Sequence, residues 1–209
     1  YLAEKLQFVT GIHHDETESH IARIGEYCRV LAGELGRSQA EQEKIALFAR
    51  LHDIGKLKVP REILSKPGEL TAEEFRVITG HPAWGADILG DAAWLAMARR
   101  ICLTHHEKWD GSGYPRGLKG RQIPWEGQVT ALADVYDALR SCRAYKPPFS
   151  HEQAVEIITR GDGRVEPGHF SPEVLQAFSR HRKTFREIFE TMKDRELSPK
   201  EREVFPGCP

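Results

Sequence analysis

Residues 45–56 read Ile45-Ala46-Leu47-Phe48-Ala49-Arg50-Leu51-His52-Asp53-Ile54-Gly55-Lys56. An apolar, helix-like run ends in an imidazole beside a carboxylate. Upstream, Ser38 and Glu41 have the spacing of a capping box, which starts that helix. The run therefore brings His52 and Asp53 inward at the helix end. An aspartate there needs a cation, because unpaired buried charge is costly. The imidazole offers a divalent metal one nitrogen and the carboxylate can bridge two ions, while Lys56 stays available for a phosphate.

Further donors lie on both sides of this stretch. His81-Pro82 opens a short helix, since proline suits the first turn; read alone, His81 is equally an N-cap. The run Ala92–Trp109, with Trp94, Leu95, Met97, Ile101 and Leu103, brings His105 and His106, and both reach one interior only if the helix frays before Trp109. Asp134 sits among Ala131, Leu132, Ala133 and Val135, where the bland alternative is an aspartate paired to an arginine. Glu16 and His20 are four apart, one turn above each other on a helical face. They adjoin the stripe Ile21, Ile24, Cys28, Leu31 and Leu35, which Gly36 ends.

The candidate ligands are thus Glu16, His20, His52, Asp53, His81, His105, His106 and Asp134. That many nitrogen and carboxylate donors exceed the needs of one tetrahedral ion and imply two or three divalent ions. A set without thiolate suits iron or manganese first, with zinc or nickel compatible. Ions a few ångströms apart serve phosphate-ester hydrolysis, since they generate hydroxide near neutral pH and stabilise the leaving oxygen. His13 and His14 read as part of a mobile segment, and His151, His169 and His181 as solvated.

The remaining elements are helical. Thr71 and Glu74 form a second capping box, Pro124 starts a helix around Asp134, Ser150 caps one through Arg160, and Ser171-Pro172 starts the last. Asp110–Gly120 is too glycine-rich to be helical. No segment alternates with period two, so the expectation is one all-α domain of about seven or more helices with the metal site in the bundle interior. Residues 1–14 read as a lead-in helix or linker from a missing upstream region, 15–193 as the catalytic domain, and 194–209 as a loosely ordered tail.

Composition narrows the function. The 209 residues carry 30 basic and 31 acidic side chains, net charge −1, with 40% hydrophobic residues. There is no overall attraction for polyanions, so no DNA partner is expected. No apolar stretch approaches the roughly 20 residues of a membrane span, and no signal peptide opens the chain. Cys28, Cys102, Cys142 and Cys208 form no CxxC pair and read as small apolar residues in a reducing, cytoplasmic compartment.

These residues resemble a known family. His52-Asp53-Ile-Gly-Lys56 is similar to the signature of HD-superfamily metal-dependent phosphohydrolases. His105-His106-Glu107-Lys-Trp-Asp110-Gly111-Ser-Gly113-Tyr114-Pro115, continuing to Gly120 and Ile123-Pro124, resembles the motif of the HD-GYP subfamily, bacterial phosphodiesterases of cyclic di-GMP. The resemblance implies hydrolysis to pGpG and, in some members, on to GMP. It implies that His52, Asp53, His81, His105, His106 and Asp134 are metal ligands with Asp53 bridging, that Glu16 and His20 add a third metal, and that Lys56 contacts substrate phosphate. Arg143 and Lys146 match basic residues that clamp the dinucleotide, although Cys142 and Ala144 replace the usual aspartate and proline there. The loop that carries Tyr114 is expected at least to position the helix with Asp134, and its sharper reading is a substrate-site wall or, with Arg116, Lys119 and Arg121, a protein-docking surface. An upstream regulatory domain, through which the protein would oligomerise, fits the same pattern. Rival readings are a phosphodiesterase for another cyclic dinucleotide such as cyclic GMP-AMP, a non-hydrolysing cyclic-dinucleotide receptor, and a mixed-valent diiron oxygenase, which would not need the Gly-Tyr-Pro loop.

Overall fold

The computed structural model describes residues 17–141 and 148–192. The expected lead-in helix, Glu16, His13, His14, Cys142, Arg143, Lys146, Cys208 and the tail lie outside the described residues. Within them there are nine α-helices and no strand, in agreement with the all-α expectation. They are α1 (Glu18–Glu34), α2 (Gln39–Phe48), α3 (Arg61–Leu64), α4 (Ala72–Ile78), α5 (His81–Leu89), α6 (Ala96–Thr104), α7 (Trp125–Arg140), α8 (His151–Arg160) and α9 (Pro172–Thr191).

Local chemistry sets several of these boundaries. Thr17, Ser38, Thr71, Ser150 and Ser171 each cap a helix start by accepting a backbone N–H, and Ser38/Glu41, Thr71/Glu74 and Ser150/Gln153 complete capping boxes. After α1, Gly36 takes φ +70°, a left-handed conformation that favours glycine. The apolar run ahead of His52 does not stay α-helical: α2 stops at Phe48, and tighter 3-10 turns cover Ala49–Leu51 and Ile54–Lys58. Those turns carry His52 and Asp53 between them.

The centre of the bundle is α1, which packs against α2, α7 and α9, while α6 lies between α5 and α7. Ile24, Tyr27, Cys28 and Leu31 of α1 are fully buried with Val129, Leu132, Ala133 and Tyr136 of α7 and Phe178 and Phe185 of α9. The Tyr27 ring stacks on Phe185 at 4.5 Å and meets Tyr136 edge-on at 5.4 Å. Such pairs add about 0.5–1.5 kcal/mol each beyond area burial.

Some expectations are corrected. The Ala92–Trp109 run is not one helix; a 3-10 turn at Ala93–Leu95 precedes α6, and Trp94 points into solvent. Leu47 and Phe75 are also exposed. His151 is not solvated but buried, since it shares the inner face of α8 with Ala154 and Ile158.

Candidate metal centre

The 3-10 turn Ile54–Lys58 lies against α5, and Gly55 makes that contact possible. A Cβ at Gly55 would collide with the carbonyl of His81 and the backbone N of Gly85. The close approach brings Asp53 to His81. From the other side, α6 ends at Thr104 and His105 is its C-cap, so the turn that follows leaves the helical path. His105 and His106 consequently face the same interior with ring centroids 4.0 Å apart. The fraying needed for both rings to converge is present.

Two donor sets result. Asp53, His81, His105 and His106 form one, and His20, His52 and Asp134 the other, each with ligand atoms within 4.8 Å of one another. Asp53 stands between them. Its Oδ1 lies 2.9 Å from Nε2 of His81 and 3.3 Å from Nε2 of His105, whereas its Oδ2 lies 3.3 Å from Nε2 of His52 and 2.5 Å from Nζ of Lys56. His52 Nε2 in turn lies 3.9 Å from Oδ1 of Asp134.

Hydrogen bonds behind the rings fix their orientation. Nδ1 of His52 donates to the Ala49 carbonyl (2.9 Å), Nδ1 of His81 to Ile78 (2.7 Å), and Nδ1 of His105 to Cys102 (2.9 Å). A carbonyl only accepts, so each Nδ1 carries a proton and each ring turns its Nε2 inward. Burial, only partly offset by Asp53, lowers the pKa of His105, and burial together with His105 holds that of His106 well below the ordinary range. Burial alone would raise the Asp53 carboxyl, but the Lys56 ammonium and then His52 outweigh it and hold Asp53 well below the usual carboxylate range.

The residues therefore fit a cation. His81 Nε2 and His105 Nε2 are 3.3 Å apart and converge on the same carboxylate. Asp53 Oδ1 is buried beside both of these nitrogens, 2.9 Å from His81 and 3.3 Å from His105. Converging imidazole and carboxylate donors suit a divalent transition ion.

Behind His20 stands a network that the sequence reading missed. Asp137 Oδ2 accepts from His20 Nδ1 at 2.8 Å, and Arg23 donates to both Asp137 oxygens at 2.6 and 2.8 Å. Ser141 Oγ adds a bond to Asp137 at 3.1 Å, and Arg23 also reaches the Met192 carbonyl. Burial would raise the Asp137 pKa; Arg23 and His20 override it and bring it to about 2. A usable signal existed. Arg23 lies inside the buried stripe between Ile21 and Ile24, and a buried guanidinium requires a buried acid.

The glycine-rich loop folds back on the His105-His106 turn. Buried Glu107 accepts the backbone N–H groups of Arg116 and Leu118, each at 2.8 Å, and Tyr114 N donates to the His106 carbonyl at 3.1 Å. Gly113 has no room for a side chain, since a Cβ would strike Lys108 N and the His106 carbonyl. The Tyr114 ring is thereby laid on His106, centroids 4.7 Å apart and 26° from parallel.

A family model described as HD domain matches residues 8–168. The chain belongs to the HD-domain family. This HD domain is 47% identical over 179 residues to a protein named cyclic di-GMP phosphodiesterase from Vibrio cholerae, covering 78% of this chain and 36% of the relative. It is 41% identical to the 3'3'-cGAMP-specific phosphodiesterase 2 of the same organism, over 79% of this chain and 31% of that protein. The chain thus spans about a third of the length of these two curated relatives. Among solved structures, a cyclic GMP-AMP-specific phosphodiesterase of V. cholerae matches with TM-score 0.66 at 15% identity, over all of this chain and 53% of the other, a likeness of fold.

Seven of the eight expected ligands are brought together in the HD domain: His20, His52, Asp53, His81, His105, His106 and Asp134. Lys56 and Tyr114 border them. Glu16, Arg143 and Lys146 lie outside the described residues. Among the described residues, no helix is long and apolar enough to cross a membrane.

Proposed function

We propose that this HD domain hydrolyses cyclic di-GMP to pGpG and then to GMP in bacterial second-messenger signalling in the cytoplasm. The observation that carries the reading is the Asp53 carboxylate, which turns one oxygen toward each donor set. The name of the V. cholerae relative supplies the substrate.

The site would hold two divalent ions, iron or manganese, with Asp53 shared, and a third where Glu16 joins His20. Bound there, they would polarise the phosphodiester and draw a nucleophile from water at neutral pH. The chain's own residues do the rest. Lys56 Nζ, held at Asp53, sets a positive charge at the edge of the site, where it neutralises a phosphoryl oxygen. Backbone carbonyls keep the histidine lone pairs inward, so no reorganisation is needed on binding. Tyr114 walls the site beside His106, and Arg143 with Lys146 would clamp the second half of the dinucleotide. The Gly-Tyr-Pro loop remains a candidate for a protein partner, and an upstream domain for oligomerisation.

The test is anaerobic incubation of Fe(II)- or Mn(II)-loaded protein with cyclic di-GMP, with products separated by chromatography. Appearance of pGpG followed by GMP is expected. Glu16→Ala should lower metal content by about one ion and slow pGpG cleavage more than ring opening. The 41% identity to a cGAMP-specific phosphodiesterase favours cyclic GMP-AMP as the second reading, and turnover of that dinucleotide alone would select it. Binding of uncleaved ligand by metal-loaded protein would make the domain a receptor.

A further inference from the structure

Three large apolar side chains are prominently exposed among the described residues: Leu47 (40%), Phe75 (53%) and Trp94 (56%). Isolated exposed apolar residues are ordinary on a protein surface. Phe75 differs from the other two because its ring meets the candidate site. It lies 6.2 Å from the Tyr114 ring at 74°, and Tyr114 stacks on His106. Three rings thus run in series from the donor cluster to solvent.

The helix that carries Phe75 has no evident structural need for it. No residue of α4 is fully buried. Yet α4 is fixed relative to the metal centre, since the Ile78 carbonyl near its end accepts Nδ1 of His81. An aromatic face is therefore held in solvent, one ring beyond the cluster. A nucleotide's base stands one sugar away from its phosphate, so a phosphodiester at Asp53 and Lys56 has a base to place at about that remove.

We propose that Phe75 is a base-stacking residue, which with Tyr114 forms the platform for one purine of the cyclic dinucleotide. The inference rests on the phosphodiesterase reading and adds a binding residue to it. Stacking uses the π face that every base possesses, so Phe75 contributes affinity for a large purine surface and leaves the choice between guanine and adenine to hydrogen bonds elsewhere.

The test uses a cyclic dinucleotide with one guanine replaced by 2-aminopurine, whose fluorescence is quenched by stacking. It is mixed rapidly with Mn(II)-loaded protein and read before turnover, with cyclic di-GMP hydrolysis followed in parallel. Wild type should quench the probe. Phe75→Ala should bind it about tenfold more weakly or worse and lose the quenching, while Phe75→Tyr retains both. Metal content and melting temperature of Phe75→Ala should match wild type, because the ring is exposed. Equal affinity and quenching in wild type and Phe75→Ala overturn the proposal, as does loss of bound metal along with the quenching. Hydrolysis of cyclic di-GMP without quenching of the probe overturns the stacking role and leaves the phosphodiesterase standing. Neither binding nor hydrolysis by wild type overturns both.

Discussion

Asp53 and Asp137 are both buried in the same bundle, 5% and 0% exposed, and they face opposite surroundings. Asp137 is saturated: Arg23 spans its two oxygens, and His20 and Ser141 donate as well. Asp53 has Lys56 at one oxygen and the Nε2 atoms of His81 and His105 at the other. Burial alone does not distinguish a site from its support. What distinguishes them is the kind of group across from the carboxylate: a guanidinium and a hydroxyl for Asp137, a converging set of imidazoles for Asp53. The first set holds structure; the second has the composition of a metal-ligand set.

The comparison breaks first at Asp53. Asp53→Ala should lower the proposed phosphodiesterase activity about a thousandfold or more and empty both donor sets, because one substitution removes an oxygen from each. Metal analysis beside the kinetics checks this, and full turnover by the variant would contradict it.

Asp137→Asn should act differently. It leaves the buried Arg23 guanidinium without its counter-charge, at a cost of about 3–5 kcal/mol by urea unfolding. It also deprives His20 of an anionic acceptor, which should weaken one ion about 10- to 100-fold while the ion nearest His81 and His105 is retained. Equal weakening of all ions would mean that Asp137 supports the fold alone.

A third buried group sharpens the contrast from the apolar side. His151 lies 2.8 Å from the Tyr136 hydroxyl, and burial, then the charges of Arg186 and Arg140, bring its pKa down to about 4. Its folded pKa lies below the unfolded value of about 6.5. The unfolded chain therefore takes up the proton first as pH falls, and stability is lost between about pH 6.5 and 4. Urea unfolding across that range should show this slope in wild type and a flatter one in His151→Gln.

The same contrasts explain what could be read from the sequence. The all-α fold was legible, because hydroxyls at Ser38, Thr71, Ser150 and Ser171 mark helix starts and the stripe from Ile21 to Leu35 is periodic. The convergence of His52, Asp53, His81, His105, His106 and Asp134 was legible too, since polar donors inside apolar runs have few other uses. Asp137 was not, although the alternative weighed for Asp134, a helix-buried aspartate paired to an arginine, describes its neighbour one turn on. The two carboxylates share a face of α7, and only the path of α1 decides which one meets Arg23. His151 was misread because Ser150, Glu152 and Gln153 surround it with polar residues, whereas helical spacing aligns it with Ala154 and Ile158. Leu47, Phe75 and Trp94 show the converse, apolar side chains that packing leaves outside.

The most direct test of the shared carboxylate is anomalous diffraction from crystals of Mn(II)-loaded protein. The account predicts peaks on both sides of Asp53, one toward His81 and His105 and one toward His52 and Asp134. A single peak bound without Asp53, or none in either donor set, would contradict it.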